Sequence, residues 1–98
     1  MLALDEDPIG DLGAIALGES LKHNKSLEML GLYRCVIGNP GAAGLAEGLK
    51  LNAVLKKLVL DCNPIGDPGA AAIGEGLKGN TALEELDLSH CEIGAPGA

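Results

Sequence analysis

Leucines recur along this chain with a period of 28 residues. Leu27, Leu55 and Leu83 share one register position, and Leu4, Leu32, Leu60 and Leu88 share another. Ile9, Ile37, Ile65 and Ile93 follow in step, each with a glycine behind it. Gly13-Ala14, Gly41-Ala42, Gly69-Ala70 and Gly97-Ala98 complete the match. Self-similarity at a fixed period of this size is the signature of a repeat architecture. Two repeats are complete, 27–54 and 55–82. Residues 1–26 lack only the first two positions of a repeat, and 83–98 stop sixteen positions into one. No linker interrupts the pattern, so residues 1–98 read as a single domain.

Each repeat opens with leucines at strand spacing. Leu58 and Leu60 are two apart and point to one face, while Val59 and Asp61 point to the other. Strands are expected near Leu2–Leu4, Leu30–Leu32, Leu58–Leu60 and Leu86–Leu88. They should stack in parallel, because each return connection is long and contains a helix. The helices bury Ala14, Leu17 and Leu21, then Ala42, Leu45 and Leu49, then Ala70, Ile73 and Leu77, at helical spacing. A fourth helix should begin near Ala95-Pro96. Asp11, Asn39 and Asp67 stand where N-caps are expected, and Pro40 and Pro68 suit the first helical position. Asn24, Asn52 and Asn80 end the helices, where a left-handed conformation is expected. Glu19/Lys22, Glu47/Lys50 and Glu75/Lys78 are spaced for ion pairs on the outer helical face. Gly18, Gly44, Gly48, Gly74 and Gly76 weaken a helix, so their use predicts close approach between neighbouring helix backbones. Between strand and helix, Asp7, Cys35, Asn63 and Cys91 share a position suited to hydrogen-bonding the backbone at the strand end.

Composition narrows the function. The chain has no Trp or Phe and a single Tyr, so its core is aliphatic. A net charge of −7 argues against nucleic acid, which requires a basic footprint. No apolar run is long enough for a membrane span, and the first residues lack the basic region of a signal peptide. Three cysteines without CxxC spacing suit a reducing compartment, which makes the expected location cytoplasmic.

The pattern L-x-x-L-x-L-x-x-[N/C]-x-I-G-x-x-G-A resembles a leucine-rich repeat. The period and the helical K-x-N ending are similar to the ribonuclease-inhibitor-like class, which includes the repeat domains of NOD-like receptors and the Ran GTPase-activating protein. The resemblance covers the whole chain. It implies an α/β solenoid, a horseshoe segment with strands on the concave face and helices on the convex face. It also implies protein binding through the concave face. Relatives carry more repeats with polar caps. The chain is therefore expected to be a piece of a longer solenoid whose uncapped ends favour self-association.

Strand parity then selects the concave positions. They hold Met1, Ala3, Asp5 and Glu6; Met29, Gly31, Tyr33 and Arg34; Lys57, Val59, Asp61 and Cys62; and Glu85, Asp87, Ser89 and His90. From these we take Met29, Tyr33, Arg34, Lys57, Val59, Asp61, Glu85, Asp87 and His90 as the candidate protein-binding residues. Tyr33 and Arg34 come first, since aromatic and arginine side chains are favoured anchors. Eleven acids stand against three bases on the strand-and-turn side, so a basic protein would be steered there. Cys62 and His90 occupy equivalent positions on adjacent strands, but no third group orients them for nucleophilic catalysis. Cys35 and Cys91 face inward and Cys62 outward, which suits neither a disulfide nor a metal site. The repeated I-G-x-x-G is a structural turn and not a phosphate loop.

The expected function is a non-catalytic protein-interaction module in a larger sensor or scaffold, with no cofactor. Two alternatives are a GTPase-activating protein similar to the Ran activator and a structural subunit that stacks within an assembly.

Overall fold

The computed structural model describes residues 1–92. The chain alternates strands and helices: β1 (Leu2–Ala3), α1 (Gly10–Leu21), β2 (Met29–Gly31), α2 (Asn39–Leu51), β3 (Lys57–Val59), α3 (Gly66–Leu77) and β4 (Glu85–Asp87). The four strands form one parallel sheet in sequence order. Leu2 pairs with Leu30, Leu30 with Leu58 and Leu58 with Leu86, so the sheet register is the 28-residue sequence period. The helices pack side by side, α1 on α2 and α2 on α3. The expected fourth helix lies outside the described residues.

The core sits between the sheet and the helix layer. Leu30 and Leu58 from the strands and Leu32 and Leu60 just past them are fully buried, with Leu45, Leu49 and Ile73 from the helices. The equivalent leucines of the first and fourth repeats, Leu2, Leu4, Leu86 and Leu88, are only partly buried. Of the expected helical core, Leu17, Ala70 and Leu77 are also partly buried, while Ala14, Leu21 and Ala42 are fully so.

Glycine allows the helices to approach closely. A Cβ on Gly48 would run into the carbonyl of Gly18, and one on Gly76 would lie 2.6 Å from the Ala46 carbonyl oxygen. Gly74 differs, because no described atom lies within 4 Å of its Cβ position.

Two expectations are corrected. Asp11, Asn39 and Asp67 do not cap their own helices, whose N-cap positions are Ile9, Gly38 and Ile65 without side-chain capping bonds. The Asp11 carboxylate instead crosses to the next repeat. Its Oδ1 accepts from Gly38 N–H at 2.7 Å and Gly41 N–H at 3.0 Å, where α2 begins. The orphan donors at one helix start are thus met by the preceding helix.

Asn24, Asn52 and Asn80 likewise avoid the left-handed region, and Asn52 is extended, with φ −89° and ψ 130°. They form a side-chain ladder instead. Asn52 Nδ2 donates to Leu21 O and Asn24 O, and Asn80 Nδ2 donates to Leu49 O and Asn52 O. Each Oδ1 accepts two N–H groups of the following turn, such as Val54 and Leu55 on Asn52. The ladder joins consecutive repeats and meets backbone groups that the helix ends leave open.

The strand-to-helix turns alternate. Glu6, Arg34, Cys62 and His90 all adopt positive φ, between 54° and 64°. A second positive φ follows, but at different positions: Gly10 and Gly66 in the first and third repeats, Val36 and Glu92 in the second and fourth. Proline explains the shift. Pro8 and Pro64 occupy the positions of Val36 and Glu92, and their rings hold φ near −65°. The left-handed step moves two residues on, to a glycine.

Candidate functional site

The outward face of the sheet carries the strand residues that alternate with buried leucines. Met29, Lys57 and Val59 are half-buried there, and Glu85 and Asp87 are exposed. Tyr33 and Asp61, also half-buried, lie just past their strands. Arg34 and His90 are exposed and sit in the left-handed turn beyond the sheet. All nine candidate residues therefore border the strand side. The second repeat also opens a gap in the row, because Gly31 is buried and presents no side chain. Its Cβ position lies 3.1 Å from Asp5 Oδ1.

Contacts divide the nine into groups. The Arg34 guanidinium lies 5.4 Å from the Tyr33 ring centroid, a cation–π distance, and 3.7 Å from Glu6 Oε2. Glu6 was not among the nine, although its place one repeat before Arg34 is readable in the period. Lys57 pairs with Glu85 across β3 and β4 at 3.5 Å. These strands floor a depression of about 440 Å³, with Lys57, Val59, Glu85, Asp87 and Ser89 on its lining.

The aspartates at this surface behave differently from one another. Asp5 Oδ1 accepts Tyr33 N–H at 3.0 Å, one repeat ahead. Asp61 stands in the same register, but Ser89 N–H turns to Asp87 Oδ1 at 3.0 Å. Asp61 Oδ1 is left buried without a hydrogen-bond partner among the described residues. The Ser89 backbone bond holds the Asp87 carboxyl below the usual carboxylate range.

The inward face is structural. Asn63 is buried, with Oδ1 accepting from Cys35 N–H and Ile37 N–H and Nδ2 donating to Leu32 O and Leu60 O. In alternate repeats a cysteine takes this place, and Cys35 and Cys91 donate Sγ–H to Leu4 O and Leu60 O. Burial pushes both thiols above the ordinary value, which makes them poor nucleophiles. All three cysteines are free thiols. Asp7, at the first such position, is exposed. On the outer helical face the three Glu–Lys pairs form as spaced, at 2.8 Å for Glu47–Lys50 and 2.7 Å for Glu75–Lys78. Among the described residues no cluster of metal-ligating side chains forms, and no helix is long and apolar enough to cross a membrane.

Parallel strands in 28-residue register, a helix after each of the first three, and Cys35, Asn63 and Cys91 past the last three strand ends define a leucine-rich repeat solenoid. The leucine-rich repeat family model matches residues 51–74 and 79–98. Among solved structures, actin-binding site 2 of leiomodin-1 superposes with a TM-score of 0.87 at 26% identity. The alignment covers 97% of this chain and 57% of that one, so the chain spans little more than half of the matched structure. No curated protein matches. The expected fold is therefore found.

Proposed function

We propose that the chain is a non-catalytic binding module of a larger sensor or scaffold, taking a basic protein surface on the strand side. One observation carries this reading: side chains vary from repeat to repeat on the outward sheet face while the leucines beneath stay fixed, and in the variable set five acids stand against two bases. Variable side chains on a rigid frame are what recognition needs, and the acidic excess selects basic partners. The period and helix ending favour the ribonuclease-inhibitor-like class, near the NOD-like receptor repeats. Three free thiols favour the cytosol. Quantitative affinity capture tests the reading. Partners held by the chain and by its Glu47→Ala/Lys50→Ala variant should be lost from Tyr33→Ala/Arg34→Ala. Loss on the helical-face variant alone would overturn concave-face recognition.

The leiomodin-1 match favours a second reading, in which the partner is actin. Co-sedimentation with filamentous actin and titration of monomeric actin test it directly, and no binding in either assay removes it.

A further inference from the structure

Asp61 stands apart on the sheet face, because its buried Oδ1 has no hydrogen-bond partner among the described residues. A buried acceptor left empty calls for a reason. The first repeat shows what an aspartate in this register does when it is satisfied: Asp5 Oδ1 accepts Tyr33 N–H at 3.0 Å. The backbone around both aspartates is the same. Leu4 N–H and Glu6 N–H donate to Gly31 O and Tyr33 O at 2.8 and 2.7 Å. Leu60 N–H and Cys62 N–H donate to Asp87 O and Ser89 O, both at 2.9 Å. Ser89 N–H therefore stands to Asp61 as Tyr33 N–H stands to Asp5.

The residue two before the donor makes the difference. In the second repeat it is Gly31, and a Cβ there would lie 3.1 Å from Asp5 Oδ1. In the fourth it is Asp87, whose own Oδ1 takes Ser89 N–H at 3.0 Å. Two carboxylates are thus placed for one donor, and the exposed one holds it. Asp87 also lines the depression on β3 and β4, together with Glu85 and Lys57. Both acids of that lining are engaged within the chain, since Glu85 pairs with Lys57 at 3.5 Å. They differ in what their release leaves behind. Freeing Glu85 leaves the Lys57 ammonium unpaired, and it repels a basic group. Freeing Asp87 leaves Ser89 N–H, which has Asp61 Oδ1 to turn to. The number of hydrogen bonds to backbone is then conserved and the empty acceptor is filled.

We infer that Asp61 is the second acceptor in a hydrogen-bond exchange, in which Ser89 N–H passes from Asp87 to Asp61 as an arginine or lysine of a protein partner takes the Asp87 carboxylate. The inference rests on the basic-partner reading of the strand side. Once released, Asp87 offers both oxygens to a guanidinium. The buried Asp61 Oδ1 meets no partner itself, so Asp61 is a positioning residue.

The test uses the full chain and follows the Ser89 amide by NMR. In Asp87→Ala this amide should stay protected from hydrogen exchange, because Asp61 takes the bond. In Asp61→Ala/Asp87→Ala it should exchange roughly fivefold faster or more, as expected for losing one ordinary hydrogen bond. Asp61→Asn/Asp87→Ala keeps a carbonyl acceptor and should restore the protection. The binding probe is acetylated tetra-arginine amide. Its titration should move the Ser89 amide resonance of the unaltered chain. Asp61→Ala should weaken the peptide more than Asp61→Asn, which removes the same charge but keeps an acceptor. Equal exchange of Ser89 in Asp87→Ala and in the double alanine variant overturns the inference, as does equal peptide affinity in Asp61→Ala and Asp61→Asn. Peptide binding that leaves the Ser89 amide unmoved overturns it while the basic-partner reading survives. No peptide binding at all overturns both.

Discussion

Asn63 shows how a polar residue can hold an apolar core together. Its amide accepts two backbone N–H groups from the second repeat and donates to two carbonyls, all in the interior. Leu58, equally buried, contributes only apolar surface. Leu58→Ala should cost about 2–5 kcal/mol through lost transfer energy and the cavity left behind. Asn63→Ala removes less apolar surface but takes the Asn63 partner from three buried backbone groups, Cys35 N–H, Ile37 N–H and Leu32 O, each worth about 1–3 kcal/mol, while Leu60 O keeps the Cys91 thiol. Asn63→Ala is therefore expected to be at least as damaging as Leu58→Ala. Urea denaturation of the two variants decides, and a loss under roughly 1 kcal/mol for Asn63→Ala would mean that its partners find other donors and acceptors. The position was legible in the sequence, because asparagine and cysteine at a strand end both offer hydrogen bonds. The cation–π contact of Arg34 on Tyr33 was not, since it depends on a left-handed turn at a residue that does not announce one.

At the scale of elements, the helix layer depends on glycines that are poor helix formers. Gly18, Gly44 and Gly48 interlock between α1 and α2, and a methyl group on any of them meets backbone of the neighbouring helix. An exposed helical Gly→Ala change normally stabilises by about 1 kcal/mol. Here the sign should reverse. Gly48→Ala must push α1 away from α2, at a cost of roughly 1–3 kcal/mol for overpacking. Gly74→Ala, with no described atom near its Cβ position, provides the internal comparison and should be neutral or stabilising. Thermal unfolding of the pair gives the answer, and equal melting points would show that the helices separate without penalty. Glycine spacing made this contact readable from sequence. The capping pattern was not readable, because Asp11 has a well-placed local target in its own helix and a better one thirty residues away. The 28-residue period also concealed alternation in the turns. Pro8 and Pro64 divide the repeats into two kinds, a difference that matters only once φ is known.

At the scale of the whole molecule, the sheet ends are unlike its middle. Leu30, Leu32, Leu58 and Leu60 are fully buried, whereas Leu2, Leu4, Leu86 and Leu88 are only partly buried. β1 and β4 are the edge strands, and an edge strand presents free N–H and C=O groups to another chain. The register makes a second copy a fitting partner. Leu58 stands against Leu86 within the chain, and Leu86 of one copy would meet Leu2 of the next in the same geometry. Such a head-to-tail contact uses two different surfaces and does not close on itself, so it would propagate to higher oligomers instead of stopping at a dimer. We therefore propose that this chain, alone in solution, associates head to tail in a concentration-dependent way. Sedimentation velocity over a wide concentration range should show a weight-average coefficient that rises without reaching a dimer plateau. Glu85→Lys and Leu86→Lys would place new positive charges on β4, and Leu86→Lys should shift the association to higher concentration even where Glu85→Lys does not, because only Leu86 belongs to the partly buried core row. A single monomeric boundary at every concentration would show that the outer leucines are covered well enough within one copy.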